Sequence, residues 1–173
     1  QAIGSTINGK LTGTCSDIGG FSLNYHKHIH TGEGGILLTN DKDLALRMQL
    51  IRNHAESVVK GMGLKNISNM IGHNFRLGEI ESAIGIEQLK KLKTITKKRQ
   101  DDAALLSKEL KGLRGLQVPK INKNGTHVYY MYPLLIKSNI TGVHRDIIFQ
   151  ALKEEGIPGL VKSYETLHLL PMY

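Results

Sequence analysis

The sequence predicts an α/β chain in two parts, a larger strand-and-helix part followed by a smaller α+β layer. Three observations predict it. Two short apolar runs, residues 20–23 and 36–39, flank a polar segment that closes on glycines and read as buried strands. Residues 77–92 and 99–113 carry apolar side chains at helical spacing. After residue 128 the period changes: 128–136 is aromatic and branched, 145–155 is amphipathic, and a short apolar run opens at Ile157. The seam is expected near residues 93–100, which gives domains 1–95 and 96–173.

Taken in order, Asn8-Gly9 marks a tight turn between Ile7 and Lys10-Leu11, a small hairpin. The strand over 36–39 ends at Asn40-Asp41, good N-cap residues for a helix over 42–53 through Leu44, Met48 and Ile51. Residues 54–75 are broken by Gly61, Gly63 and Gly72 and read as irregular; so long a connection is uncommon unless it serves a purpose. The helix over 77–92 packs Leu77, Ile80, Ala83, Ile84, Leu89 and Leu92 on one face. A second helix places Ala103, Leu106, Leu110 and Leu113 together and stops at Gly112 or Gly115. Pro133 points to an edge or bulge in the later strand, and Gly156 ends the last helix.

Composition narrows the function classes. A hydrophobic content of 40% with 22% charged residues is that of an ordinary globular chain, and no apolar run approaches membrane-spanning length. The single cysteine, Cys15, excludes an internal disulfide and fits a reducing cytoplasm. The formal net charge of +8 raises anionic ligands or nucleic acid as partners. The densest basic run, from Lys90 to Arg99, has no aromatic residue for base stacking and reads as a solvated helix face. Neither nucleic acid nor a membrane is expected as a partner. The chain opens on Gln1 in mid-domain style and closes on an apolar stretch, so it is expected to be a piece of a longer protein.

The stretch 21–35 holds the chemistry. Lys27 sits between two strands and beside Gly32, Gly34 and Gly35. A desolvated lysine amine attacks carbonyls, so one reading is a Schiff-base lysine; the plain alternative is an exposed loop lysine. His26, His28 and His30 alternate as strand residues sharing a face would, yet no Asp, Glu or Cys at suitable spacing completes a metal set, and no metal is expected. The glycines offer a phosphate cradle or, more plainly, close backbone packing.

Three ordered blocks resemble the DegT/DnrJ/EryC1/StrS family of sugar aminotransferases. The first is Phe21-Ser22-Leu23-Asn24-Tyr25-His26-Lys27 with Thr31-Gly32-Glu33-Gly34-Gly35, where Leu23 stands for the family's usual phenylalanine. The second runs from Gly72-His73-Asn74-Phe75-Arg76-Leu77-Gly78-Glu79 through Ala83 and Gly85 to Gln88-Leu89. The third is Tyr164, Leu167-His168, Pro171 and Tyr173; Gln1-Ala2 fits the tail of an Asp-x-x-Gln-Ala segment.

The resemblance implies the C-terminal part of a fold type I large domain, followed by most of a small domain. It implies pyridoxal 5'-phosphate (PLP) as cofactor and Lys27 as the lysine that binds it covalently and then shuttles a proton. Ser22 is implied as a phosphate ligand, Gln1 as a neighbour of the cofactor's phenolic oxygen, and Asn74 as the residue reaching the phosphate of the neighbouring subunit. His168 and Tyr164 are implied on the substrate side. Bland alternatives stand beside these roles: a strand end for Ser22, an N-cap for Asn74, a core histidine for His168. The implied reaction transfers an amino group, with glutamate as the expected donor, to a nucleotide-linked keto-deoxysugar, in a homodimer with shared active sites. The phosphate-binding turn, a ring-stacking residue and the aspartate facing the pyridine nitrogen are expected before Gln1, so the chain alone is expected to be inactive. The alternatives are a PLP- or PMP-dependent sugar dehydratase, in which histidine replaces the lysine, and a truncated relative without catalysis.

Overall fold

The computed structural model describes residues 1–56, 70–162 and 164–173. Residues 57–69, the centre of the irregular 54–75 segment, lie outside the described residues. The chain divides into two compact units, one formed by Gln1–Leu105 with Lys120–Tyr132, the other by Leu106–Pro119 with Pro133–Tyr173.

The first unit begins with the expected hairpin. Strands β1 (Thr6–Ile7) and β2 (Lys10–Leu11) pair antiparallel, Thr6 with Leu11 and Ile7 with Lys10. Asn8 and Gly9 between them both take positive φ, 50° and 76°, as a two-residue hairpin turn requires. Strands β3 (Gly19–Ser22) and β4 (Gly35–Leu38) form a second antiparallel pair, with Ser22 opposite Gly35. Helix α1 (Lys42–Arg52) follows, its first turn capped by the Asp41 carboxylate, which accepts from the backbone N–H of Asp43 at 2.8 Å and of Leu44 at 3.0 Å. Among the described residues, Leu23, Ile29, Leu50, Ala55, Ala103, Val128 and Tyr129 are the buried apolar ones.

Two expectations fail in instructive ways. The helices expected over 77–92 and 99–113 are one helix, α2 (Glu79–Leu110). Lys93, Lys97 and Lys98 gave residues 93–98 the look of a break, yet Leu92, Ile95, Thr96, Arg99 and Ala103 keep a buried or half-buried stripe at helical spacing. No glycine or proline falls between residues 92 and 110, so α2 passes residue 95 unbroken and ends just before Gly112 at φ 94°. The strand expected over 128–136 shrinks to β6 (Leu135–Ile136), which pairs with an unforeseen β5 (Leu116–Gln117) in the second unit. Residues 127–129 spend their carbonyls on distant side chains instead of on a strand partner.

The second unit continues with the short α3 (Ser138–Thr141) and then α4 (Arg145–Glu154), stopped by Gly156 at φ 80°. His144 caps α4 by accepting from the N–H of Asp146. Lys162 donates to Asp146 at 2.9 Å and, as the leading cause, holds that carboxyl below the usual range. No ladder forms over 157–161, where a short strand was expected; a single 3-10 turn, Leu167–Leu169, follows.

Candidate active site

The loop over residues 23–34 joins β3 to β4 and carries Lys27. It is closed at its base, because the N–H of Leu23 bonds the carbonyl of Gly34 at 2.8 Å and the N–H of Thr31 bonds that of Leu23 at 2.9 Å. Asn24 organises the turn above. Its side chain donates to Glu33 at 2.6 Å and accepts from the N–H of His26 at 3.1 Å, and its carbonyl accepts from the N–H of Lys27 at 2.9 Å. Ser22 is tied to the same turn, its Oγ accepting from the N–H of Asn24 at 3.2 Å. Among the described residues that hydroxyl has no acceptor for its own proton, so it is able to donate to an anion.

Lys27 is half-buried, and its Nζ stands 4.4 Å from the centroid of the Tyr130 ring. No carboxylate among the described residues pairs with it. An amine not engaged by a carboxylate is open to a carbonyl compound, and the aromatic face bears on where it stands. Lys27 is thus a half-buried loop lysine rather than a fully exposed one.

The neighbouring histidines differ from one another. His26 is exposed, with Tyr25 beside it at 3.8 Å between centroids. His28 is buried, and its Nε2 lies 2.7 Å from the carbonyl oxygen of Val128. Burial lowers its pKa below the ordinary 6.5, against the raising effect of that bond; Arg99 and His127 lower it further.

Of the loop glycines Gly34 is closely packed, whereas Gly32 has open space around it. A Cβ at Gly34 would come within 2.7 Å of Thr31 Oγ1 and 3.0 Å of Leu77 Cδ1, and one at Gly85 within 3.1 Å of Thr31 Cγ2. The loop base therefore sits against the start of α2. Gly72 is closed more severely: its Cβ would lie 2.2 Å from Ala55 N.

Asn74 lies in an extended piece bridged to Asn53, held by the N–H of His73 to Ile51 at 2.7 Å and of Phe75 to Arg52 at 2.9 Å. It does not cap α2, which starts at Glu79. Its exposed side chain is set by backbone bonds on both sides. His168 is exposed in the 3-10 turn, not in a core, and Tyr164 is exposed beside it in sequence. Lys27, Ser22, Gln1 and Asn74 belong to the first unit; His168 and Tyr164 belong to the second.

An open groove of about 1220 Å³ lies along the β3–β4 hairpin and α1, with Ser22, Leu37, Met48, Arg52 and Phe75 among its lining; Lys27 is not part of it. Tyr130, Asn24 and the carbonyl of Val128 escaped the sequence reading. Only the aromatic density of 128–132 signalled Tyr130 and Val128, and that density reads first as a strand; Asn24 stood in the 21–27 block without a role of its own.

The chain belongs to the DegT/DnrJ/EryC1/StrS aminotransferase family, which matches across residues 1–173. It is 31% identical to the GDP-perosamine synthase of Vibrio cholerae over 173 residues, all of this chain and 45% of that protein. Helicobacter pylori PseC, an aminotransferase involved in the biosynthesis of pseudoaminic acid, superposes with a TM-score of 0.81 at 29% identity over 99% of this chain and 45% of that one. The GDP-4-keto-6-deoxy-D-mannose-3-dehydratase of E. coli, solved with bound hydrated PLP, gives a TM-score of 0.78 at 30% identity, covering 90% of this chain and 42% of that one. The chain thus spans a little under half the length of the relatives it matches, and its fold is the C-terminal part of the fold type I architecture.

Proposed function

We propose that this chain is the lysine-bearing part of a PLP-dependent sugar aminotransferase, with residues 1–95 on the cofactor side. The observation that carries the reading is Lys27: an amine without a carboxylate partner among the described residues, on a closed loop, over the Tyr130 ring. PLP, when bound, supplies an electron sink for the bond-breaking at the substrate's amine-bearing carbon. Lys27 would hold the cofactor's aldehyde carbon and, once displaced, carry a proton to and from the reacting carbons. Ser22, with its hydroxyl proton uncommitted among the described residues, would donate to the phosphate. Gln1 would meet the phenolic oxygen, and Asn74 the phosphate of a second subunit, which makes the protein a homodimer with shared sites. His168 and Tyr164 would contact the sugar.

In this reading the amino acceptor is a nucleotide-linked keto-deoxysugar, the donor is glutamate, and the setting is the cytoplasm, consistent with the free Cys15. The dehydratase alternative is supported by one structural relative but needs a histidine in place of the lysine. Lys27 is present, and the Nε2 of its buried neighbour His28 is engaged with Val128. A truncated, non-catalytic relative is the remaining alternative.

The test uses the intact protein carrying this chain. Incubation with PLP followed by borohydride should leave a pyridoxyl label on the peptide containing Lys27. Lys27→Ala should lose the label and at least about a hundredfold in amino transfer. A label on another lysine, or none, sinks the proposal.

A further inference from the structure

Residues 127–130 form a strap whose backbone is fixed at three successive carbonyls. Gln100 Nε2 donates to the carbonyl of His127 at 2.9 Å. The Nε2 of His28 bonds that of Val128 at 2.7 Å, and Arg99 Nη1 donates to that of Tyr129 at 3.1 Å. Val128 and Tyr129 are buried. Tyr129 is held at φ 50°, a left-handed conformation that a bulky aromatic residue rarely adopts. The N–H of Tyr129 donates to His127 Nδ1 at 2.9 Å, which helps to hold that turn. Such strain persists only where the surroundings over-determine it, and it gathers at functional sites. Its result here is the placement of the next residue: the ring of Tyr130 lies under Lys27 Nζ at 4.4 Å, with its centroid 6.0 Å from that of His28.

We propose that Tyr130 is a positioning residue for Lys27: the strained, three-point strap presents its ring face to the amine and fixes where that amine stands. The proposal rests on the reading of Lys27 as the cofactor lysine. The ring face is the negative end of an aromatic quadrupole and attracts the ammonium form, while its rigidity removes rotamers from a long, flexible side chain. One aromatic face thus does for the free lysine what the cofactor itself would do once attached. The ring supplies this, so phenylalanine should serve as well as tyrosine, and an aliphatic side chain of similar bulk should not.

The experiment compares wild type, Tyr130→Phe and Tyr130→Leu in the intact protein, without added cofactor. Acetylation of Lys27 by a trace of acetic anhydride is followed by peptide mass spectrometry, with exposed Lys10 as the internal standard. Lys27 should react about two- to fivefold faster in Tyr130→Leu. In Tyr130→Phe it should match wild type, and Lys10 should be unchanged throughout. In wild type alone, the Lys27 Cε protons should be shifted upfield by the ring current, a readout that needs no variant to fold. An unshifted Lys27 signal, or equal Lys27 reactivity in all three proteins, overturns the proposal. Trapping with PLP and borohydride is then run on the same three proteins. If the ring-current shift and the acetylation pattern hold while wild type takes no label on Lys27, the cofactor reading fails and the ring–amine contact stands. If wild type and Tyr130→Phe are labelled and Tyr130→Leu is labelled severalfold less, both stand.

Discussion

At the scale of single residues, His28 has the clearest solution signature. Its pKa is lowered in the fold chiefly by burial, so below about pH 6.5 the unfolded chain binds more protons than the folded one. Stability should therefore be full above the unfolded value and should fall as the pH drops through the folded value. Thermal melts from about pH 8 down to about pH 5 should show this loss, and His28→Gln should flatten the slope. A slope unchanged by the substitution would place the acid sensitivity elsewhere. Lys27 stood out in the sequence through the family resemblance of the blocks around and after it, since its spacing and glycines alone leave a plain loop lysine open. The ring beneath it did not, because the bonds that aim Tyr130 span 100 positions from His28, 30 from Arg99 and 27 from Gln100, and no local pattern reports contacts at such separations.

At the scale of elements, caps and close approaches decide. The Asp41 carboxylate accepts two N–H groups at the start of α1, so Asp41→Ala should cost about 1 kcal/mol, read as a shifted denaturation midpoint with an unchanged slope. Gly19 is a harsher case. A Cβ there would lie 1.8 Å from the carbonyl oxygen of Gly13, backbone against backbone, with no flexible side chain to yield. Gly19→Ala should cost about 3 kcal/mol or disrupt β3, whereas Gly9→Ala, with open space around it, should pay mainly for its positive φ. Comparing the two melts checks the contrast. The hairpin at Asn8-Gly9 and the cap at Asp41 were readable because their causes are local. The continuity of α2 was not, because a run of lysines resembles a break although the half-buried stripe beneath it persists.

At the scale of the whole molecule, apolar residues stand out from both units: Phe75 is 66% exposed, Ile80 74% and Leu167 70%. Scattered singly these would mean little, but α2 adds Ile84, Ile86 and Leu89 to the same exposed set. So many large apolar side chains left exposed make a surface suited to being covered. The 173-residue chain on its own should bind a hydrophobic dye and scatter light increasingly with concentration. Fused to the portion of a relative that this chain does not match it should do neither, and a dye-silent, monomeric 173-residue chain would contradict this view. Family and fold were legible because ordered motifs cover the whole length; the grouping of 120–132 with the first unit was not, since it depends on carbonyl bonds made late in the chain.

The strap over 127–130 has a consequence for redesign. Its three long-range bonds all end on carbonyl oxygens, which every amino acid possesses, so the anchorage does not depend on which side chain occupies position 130. That position is a socket: the backbone is locked on one side, and the side chain facing Lys27 can be exchanged without removing any of those three bonds. A library confined to this one codon would vary the surface beneath the amine from aromatic to amide to acid, with the scaffold held constant.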